Sequence, residues 1–262
     1  MNFGQILVNL PLPCYFIIPL VLATLSIFAG VILGKHVLKR NDGELKHTGS
    51  QGVSTVLGLL AFILAFTFGM AASKFETRRT LVLDQANAMR STLLYAQLLP
   101  APYNSQSREL LKQYIDYAAS VAQANRAAIM QILPKADKVL NQLWDQVKVM
   151  SSIPNMPGFS AYSQSLNSFI QIHYKRIGVA LEFKLPPIIW LVLYLVTICA
   201  MFIFGYDIGL NDGKFCLKVL VMVFVFSFVL YLIADLDRGA EGLMKISQEP
   251  IIEIQKALDV QK

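Results

Sequence analysis

Charge disappears from this chain in four stretches. Residues 1–34, 48–73 and 185–206 hold no Asp, Glu, Lys or Arg, and residues 219–234 form a fourth run that is also almost wholly apolar. Each approaches the ~20 residues that a helix rising ~1.5 Å per residue needs to cross a ~30 Å hydrocarbon layer. The pattern predicts an all-α integral membrane protein with four transmembrane helices over about 14–33, 53–72, 187–206 and 215–234.

The polar segments organise the rest. A connector from Gly34 to Gln51 carries Lys35, Lys39, Arg40 and Lys46, with Asp42-Gly43 as a turn signal. Span two does not stop at a membrane surface. Lys74 to Leu99 has no Gly or Pro and keeps apolar residues at helical spacing through Leu81, Leu83, Ala88, Leu93 and Leu94, which predicts one long helix ending at Pro100-Ala101-Pro102. Beyond it the spacing predicts a helix over Asn104–Leu133 with Asn104 as N-cap, a second piece starting at Pro134 with Val139, Leu140, Leu143, Trp144 and Val147 on its buried face, and a third over Ser160–Phe183. The expected organisation is a transmembrane hairpin (1–73), an extramembrane helical bundle inserted between the second and third spans (74–185), and a second hairpin (186–234). A tail (235–262) follows, with a turn at Gly239 to Gly242 and a short amphipathic helix over Pro250–Val260.

Composition narrows the class. Hydrophobic residues are 55% and charged residues 15% of the chain, whereas a soluble domain carries about 25% charged, so lipid is the expected partner of the excess. The net charge of +6 is scattered beside apolar runs instead of forming one stripe, which argues for membrane topology and against nucleic acid. Cys14, Cys199 and Cys216 lie in or beside spans with no CxxC, so neither a disulfide framework nor a zinc site is expected. The N-terminal run starts without Lys or Arg and is full length, so the first span reads as retained. Lys74, Arg78, Arg79, Arg90, Lys175, Arg176, Lys184, Arg238 and Lys245 border the membrane on the bundle side, against Lys35, Lys39, Arg40, Lys46, Lys214 and Lys218 on the other. The positive-inside rule then leans toward a bundle and termini in the cytoplasm, in a bacterial inner (plasma) membrane.

No enzyme signature is present: no HExxH, GxSxG, Walker loop or GxGxxG, and His36, His47 and His173 are widely spaced. No metal or cofactor is expected. The central parts of the spans hold no ionisable residue, as a passive pore permits and a proton-coupled pump does not. In span two, Gln51, Thr55, Leu59, Phe62 and Phe66 share one helix face, with Gly52, Gly58 and Gly69 offering close backbone approach. Several copies around an axis would form a polar entrance and an aromatic constriction; the same phenylalanines could equally pack on lipid or neighbouring spans. Lys74, Arg78 and Arg79 would concentrate anions at the mouth, or anchor headgroups. Asp235, Asp237 and Glu241 around a glycine turn would hold a hard cation, or serve capping and ion pairing.

Span two from Leu57 to Phe62, the run Phe66-Thr67-Phe68-Gly69-Met70-Ala71-Ala72-Ser73-Lys74-Phe75-Glu76-Thr77-Arg78-Arg79, Asp84 to Ala88, Leu98 to Pro100 and Asp235 to Arg238 resemble the bestrophin-like domain family, from about residue 50 onward. More distantly the chain is similar to bestrophins, pentameric anion channels with four spans and a helical region between the second and third. That resemblance implies a neck at Gln51, Thr55 and Leu59. The neck's aromatic residues are missing there, the tail has no long acidic cluster, and Gly239 replaces the family's proline. The expectation is a homo-oligomeric channel, a pentamer by analogy, passing small inorganic anions such as chloride through a pore lined by span two. The alternatives are a membrane sensor or scaffold whose bundle binds a ligand or partner, and then a small-solute transporter.

Overall fold

The computed structural model describes residues 10–40, 50–121, 126–182, 184–211, 217–239 and 242–260, the side chains of 50, 51, 126, 127, 181, 182 and 260 excepted. The described residues form α1 (Cys14–Arg40), α2 (Ser50–Ala96), α3 (Tyr103–Ser120), α4 (Arg126–Ser151), α5 (Phe159–Glu182), α6 (Pro187–Leu210), α7 (Leu217–Arg238) and α8 (Glu249–Val260), with no strand among them. Four helices are long and apolar enough to cross a bilayer: α1, α6, α7 and α2 from Gly52. Contacts divide the chain into two units, Met1–Phe75 with Lys184–Lys245, and Glu76–Phe183 with Ile246–Lys262.

In the first unit α1 packs chiefly on α6 and also on α7. Lipid tails are as apolar as leucine, so helix association there depends on how closely backbones approach. Gly30 and Gly34 on α1 face Gly205 and Gly209 on α6. A Cβ built on Gly30 would collide with the carbonyl of Phe202 and stand 2.7 Å from the amide nitrogen of Tyr206, and one on Gly205 would collide with the carbonyl of Ile27 and stand 2.7 Å from its Cα. One on Gly34 would lie 2.9 Å from the Cα of Gly209. The pairing of 27 and 30 with 205, then of 31 and 34 with 209, advances in the same direction on both helices, so the first and third spans run parallel. The Tyr15 and Trp190 rings, with centroids 4.7 Å apart, keep the same register at the other end of the contact. Leu60, Leu64 and Ala71 of α2 and Val223, Leu230 and Ile233 of α7 complete this core. α1 outlasts its apolar run and ends with Lys39 and Arg40 in its last turn, where cations complement the exposed carbonyls.

The second unit is a helical bundle around Leu111, Tyr114, Ile115, Leu140, Leu143 and Phe169, all nearly or fully buried. Its third predicted helix is found within one residue of both expected ends, as α5. Four expectations are corrected. The helix expected over Asn104–Leu133 stops at Ser120 with Val121 as C-cap, and Pro134 lies inside α4 instead of starting it, on a turn where Met130 and Gln131 face outward and leave room for a missing backbone bond. Asn104 is not the N-cap: Pro102 holds that position, and the Asn104 side chain accepts from the Ser105 amide at 2.6 Å inside the first turn. Trp144, expected on the buried face, is 37% exposed. The tail helix also joins this unit, burying Ile251 and Ile254, with Lys112 bonded to Asp259 at 2.9 Å and Gln255 to Asp116 at 2.8 Å.

A directed chain of hydrogen bonds crosses the bundle. Arg176 donates to the Gln85 carbonyl oxygen, and Gln85 Nε2 donates to Tyr114 Oη at 2.7 Å. Tyr114 then donates to His173 Nδ1 at 2.6 Å, and His173 Nε2 to Asp137 Oδ1 at 3.0 Å. Each donor finds one acceptor only when His173 is neutral and carries its proton on Nε2. Burial lowers the His173 pKa below its ordinary 6.5; Asp137 opposes that shift and Arg176 adds to it, while Tyr174 packs edge-on at 5.1 Å. Burial likewise raises the Tyr114 hydroxyl, keeping it a donor.

Two outcomes test this packing. Gly205→Leu should lower the thermal midpoint of the purified protein by roughly 5–10 °C, the equivalent of an overpacking cost near ~2–3 kcal/mol in a chain of this size. Gly178→Ala, where an added Cβ meets nothing within 4 Å, should leave the midpoint level or higher. Because the unfolded histidine titrates at 6.5 and the folded one lower, the His173 contribution is complete above that pH and is lost as pH falls below it. Between about pH 7.5 and 5.5 the midpoint should therefore fall more steeply in the wild type than in His173→Gln, read by scanning fluorimetry at each pH.

Candidate functional site

The helix face singled out in span two stands open. Leu60, Leu64, Thr67 and Ala71 of α2 are buried in the first unit's core, whereas Leu59, Phe62 and Phe66 are 52%, 69% and 63% exposed. The period of the helix sorts them: 60, 64, 67 and 71 turn one way, and 55, 59, 62 and 66 the other. Thr55 is exposed on the same face, and the Thr67 hydroxyl is spent on the Ile63 carbonyl at 2.8 Å. The Gln51 side chain lies outside the described residues. Gly52, Gly58 and Gly69 have open space where a Cβ would be, with no described neighbour of the same protomer within 4 Å of it. The close backbone approaches of the first unit are instead at the two GxxxG pairs on α1 and α6. Those spacings are visible in the sequence, and their meaning comes from facing each other.

The three basic residues beyond this face have separate surroundings. Lys74 is half-buried and donates to the Lys184 carbonyl at 2.9 Å. Arg78 is buried and engaged. Arg79 is exposed and 3.6 Å from Glu76, an i,i+3 surface pair of small energetic weight. Of the three, Arg79 alone presents its charge to the surroundings of one protomer.

The Asp-Leu-Asp-Arg run at the end of α7 forms a buried corner. The Asp235 carboxylate accepts from the Leu243 and Met244 amides at 3.2 and 3.0 Å, closing the turn after α7. That turn brings Gly242, at φ +107°, so near that a Cβ would collide with Asp235 Oδ1; only glycine fits both the space and the dihedral. Asp237 Oδ1 accepts from the Leu185 amide at 2.8 Å, so the residues leading into α6 are held by α7 and, through Lys184, by α2. Arg238 bonds the Leu10 carbonyl and lies 5.1 Å from the centre of the Tyr15 ring. Glu241 lies outside the described residues, and no group of three or more metal-ligating side chains occurs among those described.

Sequence spacing had no means of finding the polar chain in the second unit. Gln85, Tyr114, Asp137, His173 and Arg176 come from four helices, and their partners are 29 to 91 residues apart.

The architecture has solved counterparts. A crystal structure of a bacterial Bestrophin homologue from Klebsiella pneumoniae carrying a mutation superposes with a TM-score of 0.64 at 14% identity, covering 95% of this chain and 97% of that one. A second mutant structure of such a homologue from the same organism gives 0.63 at 13% identity over 91% and 97%. A structure described as a membrane protein gives 0.62 at 14% identity over 93% and 96%. At such identities the likeness establishes the fold. No curated protein matches the chain. The Bestrophin-like domain model matches residues 17–251, nearly all of the four spans and the helices between them. This integral membrane protein belongs to the Bestrophin-like domain family.

Proposed function

We propose that the chain assembles as a homo-oligomeric ion channel that conducts small anions, chloride by default, through an axial pore lined by α2. The observation that carries this reading is the bare apolar stripe of Leu59, Phe62 and Phe66 on a helix whose opposite face buries Leu60, Leu64, Thr67 and Ala71. α1 and α7 also expose large apolar residues, such as Phe28 and Leu220, which lipid covers without further requirement. The α2 stripe differs in being continued by Thr55 and in passing Gly52, Gly58 and Gly69, where the backbone is uncovered. A four-span protomer with apolar spans has no polar interior of its own, so closure around a symmetry axis supplies the passage. Phenylalanine ring edges carry partial positive charge and suit an anion at a narrow, dewetting constriction. Family membership supports a channel and disfavours an enzyme. By analogy the assembly is a pentamer, with Gln51 at the polar end of the stripe. The excess of Lys and Arg favours a cytoplasmic bundle and termini, in a bacterial inner membrane.

Mass measurement of the protein in nanodiscs should give a multimer, and the same particles in planar bilayers should pass chloride. Leu59→Ala, Phe62→Ala and Phe66→Ala should each raise or deregulate conductance several-fold. A monomer without anion current, or unchanged currents in all three variants, would remove α2 from the pathway.

A further inference from the structure

The second unit holds a partly open cavity that neither the spans nor the stripe of α2 requires. It has about 150 Å³ of free volume between α2, α3, α4 and α5. Its walls are apolar and largely half-buried, from Val121, Ile129, Ile132, Leu133 and Ile177. Its floor is polar: Gln85, Tyr114, His173 and Arg176, the first three of them buried.

Charge on that floor is unbalanced. Arg176 bonds two neutral amide oxygens, those of Gln85 and Gln248, and no carboxylate among the described residues pairs with it. Asp137, at the far end of the chain of bonds, is taken by His173 Nε2. Burial draws the Arg176 pKa below its usual value, the physical cost of holding a cation where water is scarce. A guanidinium has five N–H donors, and two are used here. The remaining donors suit the two oxygens of a carboxylate, the geometry in which arginine binds most strongly.

We propose that this cavity is a binding site for a small organic anion, a carboxylate on a compact apolar or aromatic body. Arg176 takes the carboxylate, and the walls on α4 and α5 take the body. The volume sets the size, since a cavity of ~150 Å³ lined by aliphatic side chains accommodates one benzene-sized group. Chloride or phosphate alone would leave the walls unfilled, and a neutral aromatic would leave the guanidinium unpaired. Gln85 and Gln248 hold the guanidinium in place and add no charge, which preorganises its remaining donors for an anion.

Benzoate is the test probe, titrated into the full-length protein in detergent or nanodiscs at neutral pH, with binding read as heat and as a rise in thermal midpoint. Benzoate should bind and saturate, while acetate and benzyl alcohol at the same concentration should bind at least about tenfold more weakly. Arg176→Gln should weaken benzoate by about tenfold or more, and Ile132→Trp, which keeps the charge and fills the space, should abolish it. Equal responses to benzoate and acetate, no response to benzoate, or wild-type affinity in Ile132→Trp would overturn the proposal. The wild-type ligand series and Ile132→Trp decide the matter even where Arg176→Gln does not fold, and neither readout depends on conduction.

Discussion

In hydrocarbon there is no hydrophobic reward for bringing two apolar helices together, so what holds a span in place is contact too close for lipid to replace. Here that contact is the meeting of Gly30 and Gly34 with Gly205 and Gly209, where the backbones of α1 and α6 leave no room for a Cβ. Its parallel register has a topological consequence. The first and third spans can run the same way only when the chain crosses back between them, which α2 is long and apolar enough to do. α7 and the inner face of α2 then pack on a pair already joined, and the outer face of α2 remains uncovered within the protomer.

The second device is the corner at the end of α7. A buried carboxylate is costly unless its oxygens find donors: Asp235 Oδ2 takes two backbone amides of the turn that follows and Asp237 Oδ1 one from the segment that re-enters the membrane, while Asp235 Oδ1 is buried without a partner among the described residues. Arg238, at the next position, ties the residues before α1. One short polar run thus fastens three parts of the first unit that are far apart in the chain. These bonds give the Asp-Leu-Asp-Arg run at the end of an otherwise apolar span a structural role.

The two units answer different physical problems. The first leaves an apolar face open that a single copy cannot satisfy except with lipid, which is why conduction is proposed for an assembly. The second is built around its own core, drawn together by the tail helix, and yet retains a cavity beside an arginine that no carboxylate among the described residues pairs with. The hydrogen bonds from Arg176 to Asp137 run in one direction and fit a neutral His173, so four helices are tied by one polarised chain of four bonds.

Much of this was legible from the residues in order. The four spans, the helical segment between the second and third, the limits of α5 and the tail helix all follow from runs of apolar residues, from helical periodicity and from prolines, which are local properties of the chain. Where local rules competed, they misled: Pro134 looked like a helix start and sits inside α4, and Asn104 looked like a cap and lies one residue within the helix. Only the tertiary structure decided that Gly30 and Gly34 face Gly205 and Gly209, that α8 belongs to the bundle, that Arg78 is buried, and that Gln85, Tyr114, His173 and Arg176 share one cavity floor. The reason is physical: hydrophobicity and helix spacing say that a face will be buried, but which groups meet across it depends on the angle and register at which separate helices pack, and no single stretch of sequence contains that information.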